Sequence, residues 1–175
     1  ILMHLDDSDA LTDFVPQVLQ LARNRQVDEI TAVAPGRIVV PITAASLTLS
    51  LLHAREREMI GLLDLLGARL KDRGRGFRID WRAAAVEDPT AFLLDQVARS
   101  DLVVVRQPRQ GPTDIGPVDV GRVLLAAGRP VLIAPRNGRG LGFGRVVVAY
   151  KNTREARVAL AAAVPLLGEA SRVLV

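Results

Sequence analysis

The chain has no cysteine, so it can form neither a disulfide nor a thiolate metal site. That fits a reducing compartment, and a cytoplasmic location is the expectation. Aromatic residues make up only 3% of the 175 residues, so the core must be built from Leu, Val, Ile and Ala. Lysine is nearly absent, with only Lys71 and Lys151; the net charge of +4 comes from arginine. Those arginines are scattered and are not interleaved with aromatics for base stacking. They read as a solvated surface before a nucleic-acid interface. Long apolar runs are interrupted by Pro, Thr or charges, so no segment reads as membrane-spanning, and no cleavable leader is visible. Catalytic signatures are missing too: no Gly-x-Ser-x-Gly, no Gly-Lys-Ser/Thr and no His-Glu-x-x-His. His4 reads as a buried, hydrogen-bonded strand residue and His53 as a surface residue of a helix. No catalytic residue and no metal site are expected.

What is present is alternation. Residues 1–8, ILMHLDDS, read as a buried strand, an acidic turn and the start of a helix. Ser8 or Asp9 can cap that helix. Leu11, Phe14, Val15, Val18 and Ala22 then share one helical face, and Pro16 predicts a kink or a late start. Residues 30–34 read as a second strand and 36–46 as a loop or short extra strand. A long helix is expected over 47–73, with Leu52, Met59, Leu63, Leu66 and Leu70 as its buried stripe. A third strand follows over 77–86. Asp88-Pro89 is a helix start, with Asp as N-cap and Pro in the first turn. The continuous apolar run over 101–105 predicts a strand buried on both faces. A loop over 106–117, a short helix over 118–127 and a fifth strand over 131–135 complete the pattern. Strands alternating with helices predict a doubly wound, five-stranded parallel sheet of α/β class. Ligands of such sheets sit beyond the carboxyl ends of the strands where strand order reverses.

The opening motif recurs. Residues 146–153, VVVAYKNT, place Tyr150, Lys151, Asn152 and Thr153 on Leu5, Asp6, Asp7 and Ser8, and a helix and strand follow. The expected organisation is a complete domain over 1–138, a Gly-rich linker over 139–144, and the first β-α-β of a second similar domain over 145–175.

The opening ILMHLDDSDA, the VEDP before a helix, the DLVVV strand and the RPVLIAP block together resemble the universal stress protein family, in its tandem form. The resemblance implies a Rossmann-like sheet of order 3-2-1-4-5 and a non-catalytic role in stress response through a ligand or a protein partner. It also implies pairing through the fifth strand, residues 131–135, as a homodimer or between two domains of one chain.

Some members of that family bind ATP or AMP in the cleft between the first and fourth strands, using Gly-x2-Gly-x9-Gly-Ser/Thr. Here Gly111, Gly116 and Gly121 are spaced differently, and the Gly-Ser pair falls on Pro117-Val118. Pro108, Pro112 and Pro117 have no N–H to donate. Asp119 reads as satisfying its own helix. The loop therefore reads as a connector before an anion cradle, and the standard ATP site as absent. The candidate cleft is Asp6, Asp7, Ser8, Val33, Arg106, Arg109, Gly111 and Gly116. Asp6 matches the family's nucleotide-contacting aspartate and Val33 its second-strand position, while Arg106 and Arg109 offer phosphate contacts. As neighbours on an extended segment, Asp6 and Asp7 are expected to point apart. The alternative reading is an adenine-nucleotide-binding stress protein with slow ATP hydrolysis.

Overall fold

A computed structural model of the chain describes residues 1–38, 47–109, 115–136 and 140–175. Two compact units emerge, Ile1–Gly138 and Arg139–Val175. In the first, five parallel strands pair in the order β3-β2-β1-β4-β5. They are β1 (Leu2–His4), β2 (Glu29–Arg37), β3 (Arg78–Val86), β4 (Val103–Arg106) and β5 (Val131–Ala134). This is the doubly wound α/β architecture that the alternation predicts.

Helices cover both faces. Val33 of β2 packs with Leu2, Val103 and Val105 against Leu93, Val97 and Val123, beneath α4 (Pro89–Gln96), the 3₁₀ turn after it, and α5 (Val120–Ala126). Ala32, next to Val33, is paired with Trp81 and points to the opposite face. There the indole of Trp81 lies against Gly67 of α3 (Leu47–Arg73). A methyl group at Gly67 would sit 2.7 Å from Trp81 Nε1, so the close approach of helix and sheet requires glycine. The expected α3 stripe is buried at Leu63, Leu66 and Leu70 but only half-buried at Leu52 and Met59.

Several boundaries differ from the sequence expectation for identifiable reasons. The first helix is broken at Phe14 into α1 (Ala10–Asp13) and α2 (Val15–Asn24), which places Pro16 in a first turn where its missing N–H costs little. β2 runs on to Arg37 because β3 offers partners along its whole length, as far as Val86. Most of the stretch over 36–46, expected as a loop or extra strand, lies outside the described residues. β4 includes Arg106, which the sequence assigned to the following loop. The Asp88 cap forms as expected: its Oδ1 accepts from the N–H groups of Thr90 and Ala91, both at 3.0 Å.

The second unit is one β-α-β. β6 (Arg145–Val147) and β7 (Arg172–Leu174) pair in parallel across α6 (Arg154–Leu167), which Thr153 caps. None of its described residues is buried.

Candidate functional site

Topology places the reversal of strand order between β1 and β4. β1 runs into Asp6-Asp7, β4 ends on Arg106, and β5 is followed by Pro135 and Arg136. Parallel pairing aligns these ends, so two acidic and two basic side chains meet beyond the sheet.

The resulting ion cluster is largely buried. Arg106 Nη1 donates to Asp6 Oδ1 at 3.0 Å and to Asp7 Oδ1 at 2.7 Å, and its Nη2 donates to Asp13 Oδ2 at 2.8 Å. Arg136 Nη1 donates to Asp7 Oδ2 at 3.0 Å, its Nη2 to Asp6 Oδ2, and its Nε to the Gln107 carbonyl at 2.8 Å. Side-chain exposure is 4% for Arg106 and Asp7, 8% for Asp6 and 16% for Arg136. Such burial is tolerable only because each charge is paired. Burial opposes the charge on Arg106, but Asp6, Asp7 and Asp13 outweigh it and push its pKa up. The Phe14 ring lies 5.9 Å from the Arg106 guanidinium carbon, adding a cation–π contact.

The candidate residues thus separate. Asp6, Asp7 and Arg106 come together, and the two aspartates, expected to point apart, converge on the same two guanidiniums. Asp7 also takes the capping role expected of Ser8 or Asp9: its Oδ1 accepts from Ala10 N at 2.8 Å, while Asp9 makes no side-chain cap. Ser8 is half-buried in the turn, its carbonyl accepting from Leu11 N. Val33 belongs to the apolar core under α4 and α5. Arg109 is exposed and outside the cluster. Gly111 lies outside the described residues. The Gly116 N–H donates to the Pro35 carbonyl at 2.8 Å, so it is not free for a phosphate, and a methyl group there would come within 2.6 Å of Pro89 Cγ. Its smallness serves packing.

Sequence reasoning missed Arg136, which falls just past the expected fifth strand, and Asp13, which it left on a helix. The available signal was that β4 and β5, neighbours in the sheet, each carry an arginine at the carboxyl end.

His4 is buried in β1. Its ring is hydrogen-bonded to the Gly116 backbone, as expected of a buried, hydrogen-bonded residue, while Nε2 has no hydrogen-bond partner among the described residues. Burial is the main cause that lowers its pKa from 6.5 to about 4. His53 is exposed on α3, as expected.

A shallow cleft of about 370 Å³ lies over the N-termini of α4 and α5, bordered by Arg37, Glu87, Asp88, Thr90 and Asp119. The helix N–H groups there are already engaged: Asp88 caps α4, and Asp119 Oδ1 accepts from Arg122 N at 3.1 Å. Its acidic rim disfavours a phosphate. Among the described residues, no cluster of three or more His, Cys, Asp or Glu is placed to hold a metal, and no helix is long and apolar enough to cross a membrane.

Fold and site together define a doubly wound α/β domain whose strand-end cleft is filled by its own ion pairs. No protein-family model matches the chain, and no curated protein matches it. Among solved structures, the chain is similar to a protein from the universal stress protein family of Burkholderia pseudomallei. The two are 24% identical, with a TM-score of 0.43, over 77% of this chain and 94% of that one. This is a likeness only.

Proposed function

We propose that the protein is a non-catalytic stress-response protein of the universal stress protein kind, acting through a ligand or a protein partner, without an adenine-nucleotide site in its first unit. The support is the motif resemblance over the chain, the strand order, and above all one observation: Arg106 and Arg136 hold Asp6 and Asp7 in buried ion pairs. ATP or AMP entering there would bring its phosphates against three carboxylates and displace two paired guanidiniums. The amides that would cradle phosphate are missing at the prolines or, at Gly116, already engaged.

The partner surface in this reading is β5 with α5. β5 is the last strand of its sheet, Ile133 is exposed on it, and Leu124 and Leu125 are exposed on α5, Leu125 at 91%. An apolar strand at a sheet edge invites pairing.

The test is a calorimetric titration of the whole chain with ATP and with AMP, with and without Mg²⁺. No heat of binding is expected. Saturable binding lost in Asp6→Ala would replace this reading with that of a nucleotide-binding stress protein.

A further inference from the structure

β3 lies at the edge of the sheet opposite β5, with β2 as its one neighbour among the described strands. Its nine residues pair one-to-one with β2, without a bulge and without a proline. None of them is buried, whereas β1 and β4 are buried throughout. The Arg78 N–H donates to the Asp28 carbonyl, and the Val86 carbonyl accepts from the Ile38 N–H. Backbone direction alternates along a strand, so the even-numbered residues of β3 bond to β2. The N–H and C=O groups of Ile79, Trp81, Ala83 and Ala85 therefore face outward, with no partner among the described residues. A long, regular edge of this kind is a template for another strand unless its charges repel the newcomer.

Here the charges select one. Ile79 and Trp81 lie against Gly74 and Gly67 on the α3 side, so Arg78, Asp80 and Arg82 share the other face. Their signs alternate. In an antiparallel second copy whose Trp81 stands opposite Trp81, each Asp80 falls opposite the other copy's Arg82. Trp81 with Trp81, and Ile79 with Ala83, then exchange their outward N–H···O=C bonds. Asp80 and Arg82 form the closer, non-hydrogen-bonded kind of pair. Shifting one strand by two residues sets Asp80 opposite Asp80 or Arg82 opposite Arg82, and shifting it by one turns the bonding groups away. Asp80 sits 2.9 Å from its own Arg82 with its side chain still 40% exposed, so a second guanidinium can reach it.

We propose that β3 is a self-association edge: two copies of this chain pair antiparallel through it, with the two-fold axis at Trp81, joining their five-stranded sheets into one. This surface is at the far edge from β5 and is independent of the partner surface described above.

The experiment is sedimentation velocity of the full chain over a concentration series, with the fold of each variant checked by circular dichroism. The wild type is expected to show a reversible association step. Asp80→Arg and Arg82→Asp each set like charges opposite one another and are expected to weaken that step roughly tenfold. Mixing the two variants is expected to recover it, because each then meets the opposite charge on the other. The double variant Asp80→Arg/Arg82→Asp is expected to recover it as well. Ala83→Pro removes an outward N–H that β2 does not use and is expected to abolish the step. A wild type that stays monomeric overturns the proposal. So does a step indifferent to the charge variants, which is the outcome of pairing through β5 alone, or a mixture that associates no better than its components. Asp80 and Arg82 are both well exposed, so the charge variants keep the fold and carry the test even where Ala83→Pro does not fold.

Discussion

Arg106 sits beneath three carboxylates with its side chain 4% exposed, and the neutrality of that corner depends on it. Replacing it by Leu leaves Asp6 and Asp7 buried with only Arg136 against them. Breaking a buried pair from one side costs about 3–5 kcal/mol, so Arg106→Leu is expected to lose about that much in urea unfolding. Arg106→Lys is expected to recover only part, because an ammonium cannot reach all three carboxylates as a fork does. His4 yields an expectation in pH. Its pKa is lowered from 6.5 to about 4 in the folded chain. Below 6.5 the unfolded chain takes up a proton that the folded chain refuses until about 4. Stability from this residue is therefore full above that window and lost as pH falls through it, by roughly 3 kcal/mol. Urea midpoints measured across the window are expected to fall with pH in the wild type and to fall less in His4→Leu; equal slopes would contradict this. At this scale the sequence was half legible. The acidic turn was plain because it follows a strand directly. Arg106 and Arg136 were hidden because each stands at or just past the end of an apolar run and resembles a loop residue until the strands are laid side by side.

The elements carry their own stop and start signals. Asp88 accepts two backbone N–H groups of α4 and pairs with Arg122 of α5 at 2.6 Å. Hydrogen bonding from Arg122 leads the causes that hold its carboxyl below the ordinary range. Asp88→Ala is expected to lower the urea midpoint through the lost cap, with the exposed ion pair adding little. Asp88→Asn, which still caps, is expected to retain most of the stability; equal loss in both variants would assign the effect to the ion pair. Such caps were readable because their chemistry is local. So was α3, whose 27-residue span matches the expected range of 47–73. The break at Phe14 was foreseen only as a kink or late start, since Pro16 forbids a continuous helix without saying where the turn falls. The length of β2 was not readable, because its last residues are held by β3. Long-range pairing leaves no local mark.

At the scale of the molecule, the two units differ in how they bury apolar surface. The first encloses Leu2, Met3, Leu5, Phe14, Val18 and Ile30 completely or nearly so, while Val147, Val158, Val164 and Leu174 of the second are exposed. A single β-α-β buries too little apolar surface to offset its chain entropy. Residues 1–138 are expected to unfold cooperatively alone, and residues 139–175 alone to lack protected amides in hydrogen exchange; a protease-resistant 139–175 peptide would contradict this. The doubly wound parallel sheet followed from alternation and its strand order from the motif resemblance, and the parallel β6-α6-β7 followed from the repeated opening. What tied the cleft shut lay in the alignment of three strand ends, which no single stretch of sequence displays. The most direct measurement is a ¹⁵N–¹H spectrum of the arginine side chains of the full-length protein, with Arg106→Lys and Arg136→Lys used to assign the signals. Slowly exchanging Nε–H signals from both residues, unmoved by ATP with Mg²⁺, are the expected result. Signals that exchange as in free arginine, or that shift when ATP is added, would show the cleft to be open and contradict the closed ion cluster.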